Sequence, residues 1–183
     1  MQRDTFTPGP LAEVRVVEDD DGRWTLVFVR ELGHAPGKVW AALTDPAQLR
    51  EWAPFTADRD LAADGAMTLQ MLDGPDGDDS ALPGTVRVAE APHLLEYTWG
   101  GDVLRWDLEA TASGTRLTLR HTVQDRDMVL KVAAGWHLCL VVVDQLLADE
   151  PIGPIRGDRA MDFGWRELHE AYEAELRRTL GEA

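Results

Sequence analysis

Residues 126–148 read RDMVLKVAAGWHLCLVVVDQLLA, an almost wholly apolar run broken by Lys131, His137, Asp144 and Gln145. Its longest uncharged stretch, 132–143, spans 12 residues, short of the roughly 20 apolar residues that cross a bilayer. The pattern therefore predicts a long helix near 127–148, buried on most of its surface inside a folded domain. Such a helix needs a concave partner, and the segments before it supply one. Residues 11–18 alternate around Val14 and Val16, and an acidic Gly turn separates them from the apolar run 24–32, so the two read as a hairpin. Further on, Met67/Leu69/Met71, then 85–90, then Leu95/Tyr97/Trp99, Leu104/Trp106/Leu108 and Leu117/Leu119/His121/Val123 alternate with polar residues. These are antiparallel strands with one wet and one dry face.

Between the hairpin and those strands the period lengthens. Pro36 suits the first turn of a helix PGKVWAALT, and Asp45-Pro46 restarts a second short helix that Pro54 ends. The segment 73–80 (DGPDGDDS) is too polar to pack and reads as a loop. Beyond the long helix, 149–163 reads as a Pro/Gly loop and 163–180 as an amphipathic helix. Trp165, Leu168, Tyr172 and Leu176 form its docking stripe.

Four stretches carry a family resemblance: APGKVWAALTDPAQLREW (35–52), LLEYTWGG (94–101), LRWDLEATASGTRLTLRHT (104–122) and AAGWHLCLVVVDQLL (134–147). Together they resemble START-like (SRPBCC) proteins of helix-grip fold, and among these the bacterial relatives of the C-terminal domain of the heat shock protein 90 ATPase activator. The resemblance covers roughly 24–148, specifies the fold well and the activity poorly. It implies an α+β fold in which a curved antiparallel sheet of six to eight strands grips the long helix around an elongated apolar cavity. One START-like domain then spans 1–183, with a core at 11–148 and an extra C-terminal helix at 164–180. Ala35 departs from the pattern, standing where the family usually has a helix-capping Ser.

Composition narrows the partners. The chain has 183 residues, 33 acidic against 18 basic, and a net charge of −15. An acidic surface repels phosphate backbones and anionic headgroups, so neither nucleic acid nor a membrane is expected as a partner. The N-terminal ten residues lack the apolar core of a signal peptide, and the lone Cys139 lies in the apolar helix, so a cytoplasmic location is expected. A monomer or a homodimer fits equally.

Candidate chemistry is sparse. His121 shares the dry face of its strand, where it orients a ligand or bonds to a core neighbour. His137 and Asp144 lie two turns apart on one helix face, about 10 Å, facing either the cavity or else solvent or the C-terminal segment. Gly135 admits a close backbone or a local bend. The tryptophans read chiefly as core, with Trp99, Trp106 and Trp136 as candidate pocket walls. Asp73 to Asp79 fails the EF-hand spacing, the five histidines show no metal spacing, and no phosphate loop or nucleophile elbow is present. Cys139 reads as inert packing.

The expected ligand site is thus one internal cavity formed by Trp99, Trp106, His121, Trp136, His137, Leu140 and Asp144, with no catalytic residue, metal or cofactor. Non-enzymatic binding of a small hydrophobic ligand, lipid-like or aromatic, leads the functional expectations. The alternatives are a chaperone partner whose ATPase the protein stimulates, and a cyclase- or hydrolase-type enzyme using His121 or His137.

Overall fold

The computed structural model describes residues 6–72 and 80–180. The loop expected at 73–80 lies, apart from Ser80, outside the described residues. Among those described, eight strands form one antiparallel sheet. They are β1 (Glu13–Glu18), β2 (Trp24–Leu32), β3 (Phe55–Ala57), β4 (Gly65–Met71), β5 (Ala81–Glu90), β6 (Leu94–Trp99), β7 (Asp102–Thr111) and β8 (Gly114–Val123). Their order across the sheet is β1-β2-β8-β7-β6-β5-β4-β3. Strands β3 to β8 form a meander, while β2 pairs with β8 across most of the chain. A register shift in β5 between Val86 and Val88 marks an irregularity of the kind that bends a strand.

Register sets which side chains face inward. In β8, Leu117, Leu119, His121 and Val123 are buried and alternate with half-buried Arg and Thr. His121 lies between Leu26 of β2 and Leu104 of β7. Leu119 lies between Phe28 and Trp106.

Two short helices, α1 (Pro36–Thr44) and α2 (Pro46–Trp52), join β2 to β3. Ala35 caps α1 with no side-chain hydrogen bond. Asp45 ends α1 and starts α2, its carboxylate accepting from the Ala47 N–H at 2.8 Å. The long helix α3 (Arg126–Leu147) has 22 residues, about 33 Å, and Asp125 caps it through the Asp127 N–H. At its far end the Lys38 ammonium donates to the Leu147 carbonyl at 2.5 Å, a cation placed where the helix dipole favours one. Helix α3 packs on β2 and β8 and against α1, α2 and the last helix.

After α3 the expected loop contains one helical turn, α4 (Arg159–Asp162), and the terminal helix α5 runs Trp165–Leu180. Leu168, Tyr172 and Leu176 of α5 are buried, whereas Trp165 is half-buried. Burying those three should contribute about 1.5–3 kcal/mol each before entropy.

Candidate functional site

A pocket of about 340 Å³ opens beside the N-terminal half of α3. Lys131, Val132, Gly135, Trp136, Leu138 and Cys139 form its helical wall, residues that helical spacing places along one face. Pro54, Met71, Leu72 and Trp99 supply the opposing wall from the ends of α2, β4 and β6. The cover comes from the segment after α3: Ile155, Arg156, Gly157, Ala160 and Trp165. Its walls are predominantly apolar. By contrast, a hollow of about 410 Å³ beside β1 and β2 is bordered by Glu13, Glu31 and Arg116, which pair with one another.

Gly135 is the unusual member. Glycine inside a helix costs about 0.5–1 kcal/mol relative to alanine. A Cβ at this position would meet nothing within 4 Å. Of the two readings of this glycine, a close backbone or a bend, no backbone among the described residues comes close, and the missing side chain leaves open space in the pocket wall.

An aromatic cluster stands behind and beside this space. Trp99 stacks on His121 (ring centroids 5.5 Å, interplanar angle 29°) and meets Trp136 at 6.1 Å. The Trp136 indole N–H donates to His121 Nδ1 at 3.0 Å. That nitrogen is therefore the unprotonated one, and the proton on Nε2 is donated to Asp102 Oδ2 at 3.0 Å. With both nitrogens engaged, His121 locks Trp136 in place. Trp106 lies edge-on to Trp136 at 5.3 Å and donates its indole N–H to the Tyr97 hydroxyl at 3.2 Å. Burial pushes the Tyr97 phenol above its ordinary range.

Of the seven expected residues, the pocket takes in two among the described residues. Trp99 and Trp136 line the pocket, and His121 and Trp106 buttress Trp136. Leu140 is fully buried in the core, one turn beyond Trp136. His137 faces the C-terminal helix and the N-terminal segment. Its Nδ1 accepts from the Tyr172 hydroxyl at 2.7 Å, and its Nε2 donates to the Pro8 carbonyl at 2.8 Å. Tyr172 in turn accepts from the Ala12 N–H at 2.9 Å, a set that one neutral tautomer satisfies. Burial lowers the His137 pKa, and the nearby Arg30 charge acts in the same direction. Asp144 pairs with His34 at 3.1 Å. The physical reason for the separation is angular: successive helix residues point about 100° apart, so Trp136 and His137 look toward different neighbours.

Lys131, Gly135, Cys139 and the cover from Ile155 to Trp165 were not expected at the site. Ile152 and Ile155 inside a Pro/Gly loop are the sequence signal that this loop packs on something. Burial pushes the Cys139 thiol up to about 12, against the opposing charge of Arg156.

No curated protein matches the chain. Several solved structures share the fold. CalU16 from Micromonospora echinospora aligns with a TM-score of 0.64 at 18% identity, over 89% of this chain and 95% of that one. EF2215 from Enterococcus faecalis, a conserved protein of unknown function, aligns at 0.69 and 17% identity over 91% of each chain. A protein from Rhodobacter sphaeroides aligns at 0.60 and 26% identity, over 75% of this chain and 99% of that one. The family described as activator of Hsp90 ATPase homolog 1-like protein matches residues 34–148. That match runs from the start of the α1 segment through the end of α3, more than half of the chain, and the protein therefore belongs to the activator of Hsp90 ATPase homolog 1-like family, with its START-like helix-grip fold.

Proposed function

We propose that the pocket beside α3 binds a small hydrophobic molecule without transforming it. Family membership supports a role of START-like ligand-binding or ATPase-activator type, and the pocket favours the first. The observation that carries this is the open wall at Gly135, where a core helix of 22 residues leaves space that any side chain would enter. A volume of about 340 Å³ falls in the range of roughly 300–1,000 Å³ typical of small-molecule sites. It exceeds the cavity of roughly 150 Å³ that accepts benzene, so a ligand larger than one ring fits. Trp99, Trp136 and Trp165 offer flat apolar walls.

Binding without chemistry follows from the groups available. Among the described residues, the titratable ones lining the pocket are Lys131, Cys139 and Arg156. The Cys139 thiol stays protonated, and His121 has both nitrogens committed.

The test is fluorescence titration with the neutral apolar dye N-phenyl-1-naphthylamine. Saturable enhancement is expected for the native protein, with affinity falling at least about tenfold in Gly135→Leu, whose side chain would fill the pocket. Circular dichroism checks that the variant is folded. No saturable binding to the native protein, or undiminished binding to the folded variant, overturns the proposal.

A further inference from the structure

We infer that His121 is a proton-operated latch on the pocket wall: protonation turns its Nδ1 from acceptor into donor, unseats the Trp136 indole and closes the pocket to its ligand. This rests on the pocket reading above and adds the regulation of that site.

The His121 ring is fully buried, and it joins a carboxylate near the surface to an indole in the pocket wall. On one side Asp102, whose side chain keeps 30% of its exposure, stands 3.0 Å from Nε2. On the other side the Trp136 N–H reaches Nδ1 at 3.0 Å. An indole nitrogen only donates, so this bond exists only while Nδ1 carries no proton. A second proton makes both imidazole nitrogens donors. The bond to Asp102 then becomes charge-assisted and strengthens, whereas at Trp136 two N–H groups point at each other. Trp106, edge-on at 5.3 Å, and Trp99, at 6.1 Å, hem the indole in, and the open space on its flank is the pocket itself. Trp99, a second wall residue, stacks on the same imidazole that takes up the charge.

The other ionisable groups around this chain are engaged elsewhere or stand apart from the ring. Leu26 of β2 and Leu104 of β7 flank His121 without charge. Arg23, just before β2, donates to the Gly101 and Thr122 carbonyls. Arg120, beside His121 on β8, pairs with Asp107. The Tyr97 hydroxyl of β6 accepts from Trp106. On α3, Asp125 caps the helix, Arg126 lies over the Trp24 ring, and Lys131 and Cys139 line the pocket. One more histidine touches a pocket wall: His169 stacks on Trp165 at 4.9 Å. Histidine is the side chain suited to change charge between about pH 5 and 8. By linkage, a ligand that holds Trp136 in place also holds His121 unprotonated.

The experiment is a titration of the full chain with N-phenyl-1-naphthylamine, which carries no charge between pH 8 and 5, with circular dichroism confirming the fold at each pH. Affinity should fall by about tenfold on acidification, the scale of one buried hydrogen bond lost. Proton–nitrogen NMR of the native protein should show Nδ1 of His121 taking up a proton, and the Trp136 indole signal moving, in step with that fall. Asp102→Asn keeps an acceptor for Nε2 but removes the charge that favours the imidazolium, so the fall should begin at lower pH. In folded His121→Gln it should vanish, and in His169→Gln it should persist. Tight dye binding at pH 8 that stays constant to pH 5 overturns the latch and leaves the pocket standing. The latch is also overturned by a fall that persists in folded His121→Gln, by one that disappears in His169→Gln, or by loss of the fold before Nδ1 is protonated. Absence of saturable binding at pH 8 removes the pocket, and the latch with it.

Discussion

Replacing Gly135 by alanine should stabilise the protein. In the middle of a helix alanine is favoured over glycine by about 0.8–1.0 kcal/mol, partly because it restricts the unfolded chain. The usual opposing cost in a packed core is steric, often 1–3 kcal/mol for an inserted methyl group. Here that cost is absent, because a Cβ at 135 would meet no atom within 4 Å. Gly135 keeps an ordinary helical backbone with no left-handed φ for alanine to strain. The expected gain is about 0.5–1 kcal/mol, or roughly 2–4 °C in melting temperature per kcal/mol for a chain of this size. Equilibrium urea unfolding, followed by tryptophan fluorescence and circular dichroism, should show a higher midpoint with an unchanged slope. A lower midpoint would mean that the added methyl group clashes, and the space beside α3 would not be open as described. Glycine at this position then sacrifices helix stability for room in the pocket.

Acidification should destabilise the protein in part through His137. Its folded pKa lies below the ordinary 6.5, so the unfolded chain takes up the proton first. The contribution is complete above about pH 6.5 and is lost as pH falls toward the folded value; His137→Gln should shallow the fall in urea midpoint between pH 7 and 5, and an unaltered slope would refute it. Cys139, with its thiol pushed up to about 12, should react with iodoacetamide at pH 8 far more slowly in the native state than in urea; comparable rates would contradict its burial. Removing residues 160–183 deletes Leu168, Tyr172 and Leu176 from the core and Ala160 and Trp165 from the pocket. The truncated protein should melt lower and lose most dye affinity, and unchanged values for both would show that α5 is dispensable.

The elements defined by strong local period were legible in the sequence. The helix expected near 127–148 is α3 (Arg126–Leu147), and the Leu117/Leu119/His121/Val123 alternation is the inward face of β8. Asp45-Pro46 does separate two short helices. Less legible was anything decided by distant partners. His137 and Asp144 lie on the same helix as Trp136, but their directions are set by Tyr172, Pro8 and His34, which lie 35, 129 and 110 residues away. A helical wheel of an almost wholly apolar segment cannot rank its faces, because each is covered by something different. The pocket's cover was likewise hidden: 149–163 has the composition of a loop, and only the fold shows Ile155 and Ala160 lying over α3. Gly135 is visible in the sequence but its use is not, since glycine can admit a neighbour's backbone, permit a bend or leave a void, and the choice depends on what stands opposite.

Heteronuclear NMR of the labelled protein titrated with N-phenyl-1-naphthylamine tests the pocket beside α3 most directly. Perturbed signals are expected for the Gly135 amide and the indole N–H groups of Trp99, Trp136 and Trp165, with Asp144 and the Trp24 indole unmoved. Perturbations gathered around Asp144 and His34, or none beyond those of solvent alone, would contradict it.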